Sequence, residues 1–413
     1  MIDRTHCEAL DARDPLRSVR TRFDLPPNTV YLDGNSLGAL PTRTAARMQQ
    51  VIGEEWGQAL IRAWNQHDWI NLPQRVGGKL ARLLGAATDD VIIADSTSVN
   101  IFKLLAGALA LPDVAHRRVI LAERGNFPSD LYIAEGINAM LNGKYTLKLV
   151  EADRIAEALD ANAAAAIITQ VDYCSGRLHD MARLNVLAAK AGTRIVWDLS
   201  HSAGAIPLEL HNDGAELALG CGYKYLNGGP GAPAFLYLAK HLQDKFQNPL
   251  SGWFGHRAPF EFASTYLPAK GVAKLLCGTP SVLATAALEC GIDTFDGVSM
   301  AQVREKSLAL TDLFRELVAR ECDGFNLRCI TPTAAEERGS QLAFQHANAY
   351  QIMQALIDRN VIGDFRQPDL LRFGFTPLYL GFADCWKAVA TLREVMRSGA
   401  WQAEKYLQRN RVT

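Results

Sequence analysis

The sequence predicts an α/β fold, with a mostly parallel central sheet in a large domain and a smaller C-terminal α+β domain. Three observations carry this. Strand-like apolar runs recur at regular intervals, helix-compatible sequence fills the gaps between them, and the texture changes after about Leu283. The length of 413 residues exceeds the usual single-domain size two- to threefold, so more than one folded unit is expected.

The runs begin at Val91 (VIIA), Val119 (VILAE), Thr146 (TLKLV), Ala166 (AIITQV) and Arg194 (RIVWD), which places their starts 20 to 28 residues apart. That is the spacing of βαβ units, whose crossover helices cover both faces of a parallel sheet. Two further segments, Leu217 to Gly222 and Ala232 to Leu238, add strands around the loop Asn227-Gly-Gly-Pro-Gly-Ala-Pro. After Leu283 come long helical patterns (Ser281 to Phe295, Met300 to Arg320). Short strands follow around Leu327 to Ile330, Gln341 to Gln345 and Leu371 to Phe375, then a last helix from Ala383. The expected division is an N-terminal arm (1–40), rich in Pro, Gly and Asp with little periodicity, a large domain (41–283) and a small domain (284–413).

Composition excludes several classes of function. Lys and Arg total 43 against 44 for Asp and Glu, so the formal charge of −1 offers no footprint for nucleic acid or an anionic membrane. The expected partner is a small molecule. Apolar stretches such as Leu104 to Leu111 fall short of the roughly 18 residues that a membrane helix needs. The eight cysteines form no CxxC pair, and Met1 to Leu10 carries acids in place of an apolar signal core, which fits reduced thiols in a cytoplasm. The nine histidines show no HExxH or paired-ligand spacing, so no metal site is expected.

In open α/β sheets, ligands bind beyond the carboxyl ends of the strands. Asp198 and His201 follow RIVWD, and Lys224 comes 26 residues after Asp198 in a glycine-rich segment. A lysine facing such a crevice can lose hydration and become reactive toward a carbonyl. An aspartate one strand away can hold a pyridinium nitrogen protonated and make a bound pyridine an electron sink. These are the two requirements of a pyridoxal phosphate (PLP) site. The residues alone also fit a helix-capping Asp198 and a solvated Lys224. Asp95-Ser-Thr-Ser-Val-Asn100 follows VIIA and opens a helix, so Thr97 and Ser98 can meet an anion on the helix dipole or serve as ordinary caps. VILAE leads to Asn126-Phe-Pro-Ser-Asp130, where Phe127 can stack on a cofactor ring and Pro128 opens a helix.

Six motifs, in order from about residue 30 to 380, carry a resemblance. They are Gly34-Asn-Ser-Leu-Gly38, Phe127-Pro-Ser-Asp130, Asp198-Leu-Ser-His201, Gly222-Tyr-Lys-Tyr-Leu-Asn227 with Gly228-Gly-Pro-Gly231, Gly252-Trp-Phe-Gly-His256 and Arg372-Phe-Gly-Phe-Thr-Pro-Leu-Tyr379. The chain resembles kynureninase, a family of fold type I PLP enzymes that hydrolyse L-kynurenine to anthranilate and L-alanine in tryptophan catabolism, within the kynurenine pathway and NAD biosynthesis.

The resemblance implies Lys224 as the Schiff-base lysine, Asp198 as partner of the pyridine nitrogen and Phe127 as the stacking aromatic. Pro128, Ser129, Asp130 and His201 would surround the cofactor. Thr97, Ser98, Tyr223, Trp253 and Thr279 would lie on the phosphate side, with Trp253 and Thr279 reaching in from a neighbouring subunit of a homodimer. Thr169 aligns with a further cofactor contact, with Asp172 as the alternative. Arg372 would grip the substrate carboxylate through a planar bidentate contact, and Asn35 and Trp64 are further substrate candidates. Tyr223 either relays a proton or only binds phosphate. Trp64 and the Gly278-Thr279 pair differ from the vertebrate pattern, which favours kynurenine over its 3-hydroxy form; Trp64 can equally be a packing residue. The rival readings are a cysteine desulfurase using Cys329 or Cys322, an aminotransferase, and a non-catalytic PLP-binding regulator. A nicotinamide enzyme is disfavoured because no GxGxxG follows a strand.

Overall fold

The computed structural model describes residues 2–409. Three short strands, β1 (Phe23–Asp24), β2 (Val30–Tyr31) and β3 (Leu40–Pro41), precede the central sheet. That sheet comprises β4 (Val91–Ile93), β5 (Val119–Glu123), β6 (Thr146–Val150), β7 (Ala163–Thr169), β8 (Arg194–Asp198), β9 (Leu217–Gly220) and β10 (Phe235–Leu238). Its order is β4-β10-β9-β8-β7-β5-β6. β10 runs antiparallel to both neighbours, and the other pairings are parallel.

The central strand β7 is buried at every residue from Ala163 to Thr169, so the Ala-rich run is itself strand, three residues longer than its apolar signal suggests. Small side chains there let helices pack closely on both faces. The crossover helix Met181–Ala191 starts on Asp180, whose carboxylate accepts from the Arg183 N–H at 3.0 Å. It stops at Gly192, whose φ of 66° supplies the left-handed C-cap.

The C-terminal part holds an antiparallel sheet of β11 (Arg328–Cys329), β12 (Gln341–Gln345), β14 (Asp364–Arg366) and β15 (Leu370–Gly374), in the order β11-β12-β15-β14. The intervening β13 (Val361–Ile362) pairs with β2. Helices Met300–Glu321 and Phe382–Ser398 pack on each other. The first starts with a capping box formed by Ser299 and Gln302.

The N-terminal stretch is more structured than its weak periodicity predicts. Arg4–Arg13 is a helix lying on Phe382–Ser398. Asp11 caps that partner helix, accepting from the Phe382 and Ala383 N–H groups at 2.6 and 3.0 Å. Cys7 is the one residue this N-terminal helix buries fully, which explains why no apolar stripe announces it.

Candidate active site

The cavity that gathers the predicted residues has a volume of about 320 Å³ and lies beyond the carboxyl ends of β4, β5, β7 and β8. Thr97, Ser98, Phe127, Ser129, Asp130, Thr169, Asp198, His201, Tyr223 and Lys224 all line it. Strand register does much of this work. Thr169 and Asp198 end β7 and β8 as direct partners, so their side chains reach the same rim.

On the β4 side, Asp95 adopts a left-handed φ of 46° and turns the chain into helix Thr97–Leu109. The fully buried Lys103 amine pairs with Asp95 and donates to the Leu275 carbonyl at 2.6 Å. The first turn leaves N–H groups without helical acceptors, next to the Thr97 and Ser98 hydroxyls. Ser98 Oγ lies 2.8 Å from Ser129 Oγ, which joins this helix start to the one that Pro128 opens.

Opposite, Lys224 Nζ lies 2.9 Å from His201 Nε2 and within 6.0 Å of the Phe127 ring centre. The segment around the lysine is too tight for side chains. A Cβ on Gly222 would meet the Pro233 carbonyl oxygen at 2.4 Å, and one on Gly38 would meet the Lys224 carbonyl oxygen at 2.4 Å. The Gly38 N–H also donates to the Tyr223 carbonyl at 2.7 Å, so the Gly34–Gly38 motif braces the lysine from behind.

Asp198 Oδ1 accepts from the Ser200 N–H at 2.7 Å. Burial pushes the Asp198 carboxyl up, against the lowering effects of Ser200 and Lys224. Burial pushes Asp130 well up, reinforced by the Asp198 charge, and drives His201 well down, reinforced by the Lys224 charge. Tyr223 is also pushed up, chiefly by burial, so its phenol keeps its proton.

These residues fit PLP. His201 Nδ1 and Asp130 Oδ1 are buried with no hydrogen-bond partner among the described residues, an arrangement that is costly unless a ligand satisfies them. The helix start with its hydroxyls suits a phosphate, Asp198 a protonated ring nitrogen and Phe127 a ring face.

Other predicted residues lie off this cavity. Asp172 caps a turn, accepting from the Ser175 N–H at 2.6 Å, while Thr169 stands on the wall and bonds to Asn126 and Asp130. Trp64 packs on Trp69 and Phe254, and Trp253 on Phe254, Phe260 and Phe262; Thr279 is exposed. Asn35 is fully buried. With its amide oxygen toward Arg372 it accepts from Nε at 3.0 Å and donates to Asp33 at 3.3 Å, which makes it a brace for the arginine within one chain, not a wall residue.

Arg372 also departs from the simple expectation. Its side chain is 1% exposed, and its fork is engaged by Asp364, with Nε donating to Oδ1 at 2.8 Å and Nη2 to Oδ2. Nη2 further donates to Ser36 Oγ at 2.9 Å and Nη1 to the Tyr173 carbonyl at 2.5 Å. The bidentate edge expected to face substrate is therefore taken by a buried carboxylate. Asp364 and Arg372 sit directly opposite in β14 and β15. Alternation across that hairpin was the available signal for Asp364, and the sequence reading passed over it. Tyr173, Ser200 and Ala232, which line the cavity, had no comparable signal.

Residues 303–392 match the family profile described as the kynureninase C-terminal domain. Along its whole length the chain is 50% identical to a kynureninase of Burkholderia mallei (strain ATCC 23344), covering 100% of both sequences. The chain belongs to the kynureninase family. A kynureninase of Pseudomonas fluorescens is 48% identical, again over 100% of both chains. Among solved structures, a cysteine desulfurase from Thermococcus onnurineus NA1 superposes with a TM-score of 0.76 at 16% identity, over 92% of this chain and 98% of the other. A variant of the lyase C-DES, with glycine covalently linked to its PLP cofactor, gives 0.75 at 16% identity over 95% and 100%. At that identity the likeness establishes the fold, and kynureninase membership rests on the full-length relatives.

Proposed function

We propose that this chain hydrolyses the Cβ–Cγ bond of L-kynurenine, releasing anthranilate and L-alanine, with PLP as cofactor. One observation carries the reading. A chain identical at half its positions to kynureninases brings Lys224, His201 and Asp198 together in a single cavity.

When bound, PLP supplies an electron sink conjugated to the substrate's Cα. Lys224 would hold the cofactor and then carry protons at its Nζ, oriented by the contact with His201. Because burial keeps His201 neutral, Nε2 can accept from the lysine while the ring adds no competing charge. Asp198 would hold the proton on the ring nitrogen, and Thr97, Ser98 and the Tyr223 hydroxyl would hold the phosphate. Tyr223, protonated and next in sequence to Lys224, can also pass a proton to Cβ of the alanine fragment. Water must add to the γ-carbonyl, so the pocket has to admit it during turnover. Arg372 takes the substrate carboxylate.

A homodimer completes the site in this reading, with Trp253 and Thr279 supplied to the phosphate by the second copy and Trp64 bordering the aryl group. Support comes from exposed apolar side chains uncommon on a monomer's surface, including Trp56, Leu60, Ile61, Phe260 and Phe262. Residues 41–283 would form the cofactor domain and 284–413 the small one, with kynurenine preferred over its 3-hydroxy form. The eight cysteines are unpaired, which fits a reducing cytoplasm and a role in tryptophan catabolism. No helix among the described residues is long and apolar enough to cross a membrane.

Desulfurase chemistry lacks its thiol. Cys322 is buried, Cys329 sits in strand β11, and no cysteine is among the residues lining the cavity. The deciding experiment mixes the protein with PLP and L-kynurenine and follows anthranilate fluorescence and alanine. Product without a keto acid is expected; a strict requirement for a keto-acid acceptor would mean an aminotransferase.

A further inference from the structure

We propose that Arg366 is a second contact for the substrate carboxylate, working beside Arg372; this rests on the reading of Arg372 as the carboxylate residue. Arg372 cannot do the job alone with the fork it has. Of the five N–H groups of a guanidinium, Nε and both of the Nη2 group are given to Asp364 and Ser36, and one of Nη1 to the Tyr173 carbonyl. Among the described residues one N–H is left without an acceptor, enough for a single oxygen.

Arg366 stands next to it with donors to spare. Its Nη2 shares the same acceptors, lying 2.8 Å from Asp364 Oδ2 and 3.4 Å from Ser36 Oγ. Its Nε is buried without a hydrogen-bond partner among the described residues, and the side chain as a whole is 35% exposed, which leaves part of the guanidinium arm open to an incoming anion. The guanidinium is close enough for its charge to bear on Tyr173, His201 and Tyr223, three residues of the cavity wall.

The charge balance points the same way. Asp364, with a single negative charge, is shared by two arginines, an excess of one positive charge within this group of three. Asp33 is nearby, but burial first and then the Asp364 charge push its carboxyl up to about 7, so it neutralises that excess incompletely near neutral pH. A substrate carboxylate supplies the missing anion. It would bridge the remaining N–H of Arg372 and the free edge of Arg366, the kind of charge-assisted contact that guanidinium makes well.

The test compares two ligands on the PLP-loaded enzyme, L-kynurenine and kynuramine, the same molecule without its carboxylate. For Arg366→Gln, KM for L-kynurenine should rise roughly 10- to 100-fold, the worth of one or two charge-assisted hydrogen bonds. The dissociation constant of kynuramine, read from the absorbance of the bound cofactor, should stay within about threefold. Arg366→Lys keeps the charge and loses the fork. It should show a smaller loss of the same selectivity, and it decides the matter if the Gln variant does not fold. Equal losses for both ligands would make Arg366 structural and overturn the inference, as would no loss for either. Arg372→Gln, measured in parallel, separates the two readings. Carboxylate-selective loss there but none at Arg366 removes this inference alone, whereas absence of selectivity in both variants removes the Arg372 reading and this inference with it.

Discussion

The cavity wall and a second wall of side chains joined to it at Tyr173 treat buried polar groups differently. The wall built by the ends of β4, β5, β7 and β8 leaves polar atoms of His201 and Asp130 buried and without a hydrogen-bond partner among the described residues. The second, built by the β14–β15 hairpin outside the residues that line the cavity, commits nearly every donor of Arg372 to Asp364, Ser36 and Tyr173. An unsatisfied buried group costs about 1–3 kcal/mol. The first wall therefore gains most from a bound cofactor, while in the second Arg372 is held by its own neighbours. On the proposed reading, cofactor binding draws on relief of desolvation at His201 and Asp130, and substrate binding on the N–H left on Arg372 and the free edge of Arg366.

The sharpest break in this contrast is Lys224→Ala. If Lys224 carries protons as proposed, its loss should lower kcat by about 10²- to 10⁴-fold, and borohydride should no longer fix the cofactor to the peptide that contains residue 224. The thermal midpoint of the apoenzyme should barely move, because the lysine supports chemistry more than packing.

Asp364→Ala is the counterpart on the other wall. It leaves the Arg372 charge buried and uncompensated, so the apoenzyme should lose about 3–5 kcal/mol of stability in denaturant titrations. If stability were unchanged, the second wall would not be self-supporting and the contrast would fail.

A third test uses pH. The Asp33 carboxyl is raised in the folded protein to about 7, by burial and then by the charge of Asp364, from an ordinary value of 3.8. The folded state therefore holds this proton more tightly than the unfolded chain does, and stability declines as pH rises between those two values. Asp33→Asn should flatten that decline in the apoenzyme. An unaltered slope would show that Asp33 does not carry it.

The smallest effect is expected from Thr169→Val, which removes a hydroxyl bonded to Asn126 and Asp130. Because Asn126 Oδ1 keeps its bond from the Phe127 N–H at 2.9 Å, the cost should be about 1 kcal/mol. The affinity for PLP should fall only a few-fold in an equilibrium titration. A larger loss would mean that the cofactor wall is held by this hydroxyl more than by its strand ends.

Much of the cofactor wall was legible because its residues follow strands directly. Asp198 and Thr169 close apolar runs, Thr97 and Ser98 open a helix, and Lys224 lies in a segment whose glycines mark close backbone approach. Local signals therefore marked Asp198, Lys224, Thr97 and Ser98 as candidates, and the resemblance added Thr169. The second wall was harder to read, since Arg372 meets Ser36 and Tyr173 only after segments hundreds of residues apart are brought together. Its partner Asp364 is an ordinary-looking acid in sequence. The helix Arg4–Arg13 escaped notice because it buries so little of its own surface.

The sequence by itself determined the α/β class and the polar residues at the strand ends, because apolar periodicity and strand-end polarity are short-range properties, while the cofactor followed from the resemblance of six motifs to kynureninase. Tertiary structure alone decided which donors remain free. Whether Arg372 or Arg366 can offer an N–H to a substrate depends on how Asp364, Ser36 and the Tyr173 carbonyl divide those donors. Hydrogen-bond satisfaction is a property of the assembled site, and no single stretch of chain encodes it.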